Sequence, residues 1–294
     1  MKCAVWVLVV CWGASAMAAE GKLGFVEEGK EFRFDTGALR GVLHKEGKSV
    51  GLMDVVDVAT GAKIAGGAGI LSHYRLLDDR ARYGPAGWEW KSEARVLADG
   101  AVEVKWAADE VHPFDMKAVY RWVKPEVLDV VTEVTAKKEL KGFEVFLASY
   151  FAGFEQSFVM GKEGFVEAVK NGGDWQAWAR DEAGAKLVGD GRWKREPNPV
   201  EWVVKGEFRE AMGMRRDGKS GLVALVMSPR EDCFAVLTPF GEEGHRSMYL
   251  SLFGVDFKAG ETKKARARVV IGKGIEEVEA RMVYRRWVEE EGRK

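Results

Sequence analysis

Five short clusters hold most of the side chains in this sequence that could act together chemically. They are Ser72-His73-Tyr74-Arg75, Trp88-Glu89-Trp90, Trp175 to Asp181 (WQAWARD), Asp190-Gly191-Arg192-Trp193 and Glu242-Glu243-Gly244-His245. Tryptophan faces stack on the apolar C–H face of a pyranose ring, while Arg, Asp and His hydrogen-bond the hydroxyls around its rim. The clusters therefore predict a sugar site bound by Tyr74, Arg75, Trp88, Trp90, Trp175, Trp178, Arg180, Asp181, Asp190, Arg192 and Trp193. Each cluster also has a structural reading. Trp88 and Trp90 suit one face of an edge strand, Trp175 and Trp178 suit a core, and Arg180-Asp181 and Asp190-Arg192 suit local ion pairs.

Turnover would require titratable groups beside the sugar. Glu144 and Tyr150 share one face of the run Phe143 to Phe151 (FEVFLASYF), because alternate residues of a strand point together. A carboxylate on a strand covered on both sides must be paired, protonated with a raised pKa, or lining a cavity. Glu144 is therefore a catalytic candidate, and His245 with Glu242 or Glu243 nearby offers the other half of an acid–base pair. Hydrolysis would need two carboxylates about 5 to 10 Å apart across the scissile bond. Elimination would need a base such as Tyr150 or His73, and a cation such as Arg180 or Arg192 to neutralise a uronate. Convergence of Glu144, His73 and His245 in one pocket would favour catalysis. Their scatter, with the tryptophans in a flat exposed strip, would favour binding alone.

Other chemistries are excluded or unsupported. Gly213 to Ser220 (GMRRDGKS) matches the phosphate-loop pattern, but the run that follows, Gly221 to Met227, is β-type, so the helix that would hold the phosphates is missing. Asp217 to Gly221 reads instead as a hairpin turn, and no nucleotide is expected. The 45 basic and 46 acidic residues make no field for a phosphate backbone, which argues against nucleic acid. The four histidines, His44, His73, His112 and His245, form no HxH or HExxH signature, so neither a metal nor any other cofactor is expected. GxSxG does not occur.

The elements that must position these groups are β-strands. Glu93 to Leu97 and Val102 to Trp106 flank a turn containing Asp99-Gly100, a strong hairpin signal. Met116, Ala118, Tyr120 and Trp122 alternate with polar residues up to Lys124-Pro125-Glu126, after which Val127 to Val134 returns. Leu222 to Met227, Cys233 to Leu237, Met248 to Phe253 and Arg266 to Ile271 bring the strand count above ten. One helix closes the chain, with Ile275, Val278, Met282 and Trp287 predicted on its apolar face and packed on a sheet edge. Residues 154–210 are the least regular part and hold Trp175, Trp178, Trp193 and Trp202. The expected class is all-β: two large antiparallel sheets in a supersandwich with a short C-terminal helix.

Consecutive hairpins, a doubly covered central strand, His-bearing loops and the stretch Tyr249 to Thr262 (YLSLFGVDFKAGET) before a basic strand resemble the galactose mutarotase-like β-supersandwich. The resemblance covers most of residues 25–271. That superfamily includes aldose epimerases and the sandwich domains of many glycoside hydrolases and polysaccharide lyases. The resemblance implies a concave sheet face that binds a sugar. In the epimerases a His protonates the ring oxygen and a Glu takes the anomeric hydroxyl proton. No motif maps those two roles here; by residue type the candidates are His73, His245, Glu144 and Glu242. The alternative expectation is a non-catalytic glycan-binding or structural protein of the cell envelope.

The N-terminus points to export. Met1-Lys2, the apolar run Cys3 to Gly13 and the small residues Ala14 to Ala19 form a signal peptide over 1–19, leaving 20–294 as one sandwich domain, secreted or periplasmic. The apolar run is shorter than the roughly 20 residues of a spanning helix, so no stable membrane insertion is expected after cleavage. The mature chain then keeps one cysteine, Cys233, in the strand-like run Asp232 to Leu237, which reads as a buried structural thiol.

Overall fold

A computed structural model describes residues 23–47 and 50–293; the expected signal peptide lies outside the described residues. The strands arise where the alternation was clearest. Phe114, Met116, Ala118, Tyr120 and Trp122 all turn inward from the strand Phe114–Lys124, which pairs antiparallel with Val127–Ala136. Ser92–Val96 pairs with Val102–Trp106 across the Asp99-Gly100 turn, where Gly100 takes a φ of 81°. The phosphate-loop look-alike is a hairpin turn: Gly221 N donates to Asp217 O at 2.9 Å between the strands Val203–Arg216 and Leu222–Met227.

The strands build two layers. The back layer runs from Ser92–Val96 through the two hairpins above to Thr262–Lys273, Leu222–Met227 and the C-terminal half of Val203–Arg216. The front layer runs from the N-terminal half of that strand through Trp175–Ala179, Cys233–Pro239, Ser247–Phe257 and Leu140–Tyr150 to Ser72–Leu77. Side chains of both layers interdigitate in one core, among them Trp106, Tyr120, Val145, Leu147, Leu250 and Ala267. A separate four-stranded sheet, Val26–Glu28, Glu31–Asp35, Leu39–His44 and Met53–Asp57, packs on the end of the sandwich through Phe34 and Trp122, 4.8 Å apart.

Three details differ from the expectation. The two layers are one continuous sheet, because Val203–Arg216 belongs to both. One pair is parallel: Trp175–Ala179 runs alongside residues 203–207, and the chain between them holds helix α1 (Glu182–Gly189) and the short turn Arg192–Lys194. The closing helix α2 (Glu277–Glu291) lies on the outer face of the back layer, against Met212, Met214, Leu225 and Val270, rather than on an edge. Its buried residues are Ala280, Tyr284 and Trp287, while Val278 and Met282 are 72% and 47% exposed. Ile275 precedes the first turn, so it does not set the helical phase. Among the described residues, no helix is long and apolar enough to cross a membrane.

Cys233 is buried and unpaired, and burial pushes its thiol up to about 12, which suits a structural residue.

Candidate functional site

The outer face of the front layer carries a cavity of about 440 Å³. Its floor is Phe146 and Tyr150 from Leu140–Tyr150, Tyr249 from Ser247–Phe257, and Tyr74 and Arg75 from Ser72–Leu77. Its walls are Trp175, His245 and the crossover residues Trp193, Asn198, Pro199, Val200 and Trp202. Aromatic rings meet edge to face around it: Trp193 on Phe146 at 4.3 Å, Trp202 on Trp193 at 5.5 Å, and Trp175 on Trp202 at 5.6 Å.

A register shift explains how two neighbouring residues reach one face. Phe146 pairs with Arg75 and Leu147 with His73, leaving Tyr74 as the extra residue of a β-bulge. Tyr74 and Arg75 both therefore face the cavity, whereas His73 turns into the sandwich core. Trp88 stacks on Tyr74, with ring centroids 4.3 Å apart and planes 4° apart. It sits on a short turn, Gly87–Glu89, rather than an edge strand, pressed so close to Ser72–Leu77 that a Cβ on Gly87 would lie 2.5 Å from His73 O.

Arg75 is 2% exposed, and its guanidinium lies 4.7 Å from the Trp193 ring and 5.2 Å from the Tyr74 ring. Nη2 donates to Asn198 O at 2.5 Å; Nε and Nη1 have no partner. The indole Nε1 atoms of Trp193 and Trp202 are likewise buried without acceptors. Burying a polar donor unpaired is costly, and four such donors sit on three lining residues of this cavity; others lie away from it, on Trp106, Trp122 and Trp287. No Asp or Glu lines the cavity among the described residues. The loop over it is pinned by Arg195, which donates to Asp78 O at 2.8 Å and Asp79 O at 2.5 Å, and by Arg82, which donates to Pro197 O.

His245 stands at the rim, edge-on to Trp175 at 5.2 Å, with Nδ1 2.9 Å from Glu243 Oε1. Burial raises the Tyr150 hydroxyl well above its ordinary value, and Tyr249 is pushed up to about 12 by the same cause.

Several expected site residues lie elsewhere. Glu144 is fully buried beyond Phe146, 3.3 Å from Arg192 Nη1, and accepts a hydrogen bond from Ser251 at 2.6 Å. Arg192 is held by Asp190 at 2.8 Å, and Arg180 pairs with Asp181 at 2.9 Å; Asp181 also caps α1 by accepting from Gly184 N. Trp178 packs in the sandwich core, and Trp90 stacks on His112 at 4.0 Å. Glu242 is exposed outside the cavity. Glu144, His73 and His245 thus do not converge. The tryptophans do not make a flat strip either; Trp175, Trp193 and Trp202 wall a concave site. Phe146, Tyr249 and the segment Asn198–Val200 were not singled out as site residues. The parity of FEVFLASYF shows Phe146 beside Tyr150, whereas nothing local marks Asn198.

His73 serves the core. Tyr120 donates its hydroxyl to Leu71 O, so the ring donates from Nδ1 to Tyr120 at 3.3 Å and accepts from Thr132 at Nε2, 2.8 Å away. Burial lowers its pKa from 6.5 to about 3. Between those values the unfolded chain binds one proton more than the folded one. Stability therefore falls as pH drops through that window, by up to about 1.4 kcal/mol per pH unit. In urea unfolding recorded from neutral pH down to about pH 4, His73→Gln should lose this dependence; an unchanged slope would contradict it.

No family model and no curated protein matches the sequence. Solved structures do match in fold. A galactose mutarotase related enzyme from Lactobacillus acidophilus superposes with a TM-score of 0.51 at 10% identity, over 84% of this chain and 99% of that one. A protein in the glycosyl hydrolase family 38 from Enterococcus faecalis superposes with a TM-score of 0.51 at 8% identity, over 87% of this chain and 32% of that one. The fold is the galactose mutarotase-like sandwich.

Proposed function

We propose that this protein binds a sugar or polysaccharide in the aromatic cavity on the outer face of its front layer. The observation that carries the reading is the pairing of ring walls with unpartnered donors. Trp175, Trp193, Trp202 and Tyr74 offer apolar faces, while Arg75 and the indoles of Trp193 and Trp202 carry buried donors in the lining that no protein atom accepts. A pyranose presents the complement: C–H faces and hydroxyl oxygens. The relatives in fold, named for a mutarotase and a glycosyl hydrolase, support the same ligand class. The N-terminal features support export, with residues 20–294 acting as one domain outside the cytoplasm.

Turnover is a second reading, favoured by one observation. His245, oriented by Glu243, and Tyr150 border the same cavity, so an acid–base pair is available there without Glu144 or His73.

The test is a thermal-shift and calorimetric screen of the chain from Glu20 against mono- and oligosaccharides, with each hit followed for chemical change. A ligand should raise the melting temperature in a concentration-dependent way. Trp175→Ala, which removes a half-buried wall, should weaken binding by about three- to tenfold. A well-folded protein that shifts with no glycan would overturn the proposal.

A further inference from the structure

We infer that the bound sugar is acidic: its oxyanion, a carboxylate or a sulfate ester, seats on the guanidinium of Arg75. The inference rests on the proposed sugar site and names the chemistry of its ligand.

Arg75 is a cation on the floor of a cavity whose described lining holds no carboxylate. Its one hydrogen-bonded partner is the neutral carbonyl of Asn198, and Nε and Nη1 make no bond. Among the described residues the other buried arginines are Arg192 and Arg215. Arg192 has Asp190 and Glu144 as partners. Arg215 has no carboxylate and donates instead to the carbonyls of Phe154 and Gly241, but it does not line the cavity, whereas Arg75 sits on the cavity floor among aromatic faces. A buried charge without a counter-ion is unfavourable.

The surroundings hold further arginines together with the carboxylates of Glu196 and Glu243. Arg82 lies near enough that Arg75, after burial itself, helps to lower its pKa. Arg215, which feels both Tyr249 and Glu243, is 1% exposed with Nε and Nη2 unpartnered, and burial lowers its pKa to about 10. A neutral sugar would leave Arg75 without a counter-charge, whereas a carboxylate or sulfate accepts charge-assisted hydrogen bonds from it.

The experiment compares matched probes on the wild-type protein: oligogalacturonate against its carboxyl-reduced form, and dextran sulfate against dextran. A preference of about tenfold or more for the charged member of a pair is expected, and the pair that shows it identifies carboxylate or sulfate as the source. The preference should disappear in Arg75→Gln, with its fold checked by circular dichroism. Should that variant not fold, Arg75→Lys keeps the charge and should reduce the preference. Equal binding of charged and neutral members, or a preference that survives replacement of Arg75, would overturn the inference while leaving the sugar site standing. Failure of all four probes to bind would overturn the inference, and the absence of a shift with any glycan in the wider screen would overturn the sugar site as well.

Discussion

Replacing Arg192 with alanine should destabilise the protein by about 3–5 kcal/mol in urea unfolding at neutral pH. Arg192 is fully buried, donates from Nη1 to Gly142 O at 2.7 Å, and is the only cation bonded to Glu144 among the described residues. Its loss leaves a fully buried carboxylate with a single donor, Ser251. Burial already raises the Glu144 pKa above its ordinary 4.5, against the pull of Arg192. With the cation gone that shift grows. The folded state then keeps a proton that the unfolded state releases, so stability falls as pH rises from about 4.5 through the raised value. The deficit of Arg192→Ala should therefore be greatest at neutral pH and shrink in acid. Glu144→Gln should cost far less, because it removes the charge together with the need for a counter-ion and keeps an acceptor for Ser251. Comparable losses for Arg192→Ala and Glu144→Gln would mean that the ion pair is not what anchors the crossover to the sheet.

Trp193→Ala should cost a similar amount, about 3–5 kcal/mol, and should also abolish ligand binding. The indole is 2% exposed, packs on Phe146, and holds Trp202 and the Arg75 guanidinium against its faces. Removing it opens a void beneath the crossover and frees Arg75 at once. Val200 donates its N–H to Trp193 O at 2.9 Å, so the backbone of the loop keeps one anchor. Chemical denaturation measures the first effect and calorimetric titration of a glycan hit the second. Retained affinity in a destabilised variant would show that the ring is packing only.

The strands were legible wherever burial on one face imposed alternation, as in Phe114–Lys124, or on both faces, as in Leu140–Tyr150. The doubly apolar run there follows from what covers it: the sandwich core on one side and the crossover on the other. The parallel pair was hidden because strand direction depends on residues 180–202 returning to the sheet, which no local signal encodes. At α2 the count began from Ile275, a residue outside the helix, and so placed Val278 and Met282 on the wrong face. The site was half visible. Aromatic clusters at 74, 175 and 193 come together, but the bulge at Tyr74 separates His73 from its neighbours, and a bulge breaks the parity on which such a reading depends. The ion pairs of Asp190-Arg192 and Arg180-Asp181 proved local, as adjacent opposite charges allow.

The crossover between the parallel strands has a consequence for how this fold diversifies. Residues 180–202 leave the front layer after Ala179 and rejoin it at Val203, opposite Gln176 at the other end of the same strand, so the excursion is moored to Trp175–Ala179 at both ends. That stretch supplies Trp193, Asn198, Pro199, Val200 and Trp202, five wall residues of the cavity, yet contributes no strand to the sandwich. It behaves as a cassette: its length and residues can change while the hydrogen-bonded ladder beneath keeps its register. The cavity wall from this stretch and the floor from strands such as Ser72–Leu77 thus lie in separate segments of the chain, joined at the Arg192 anchor, and wall positions other than the packed Trp193 can vary while the floor is kept.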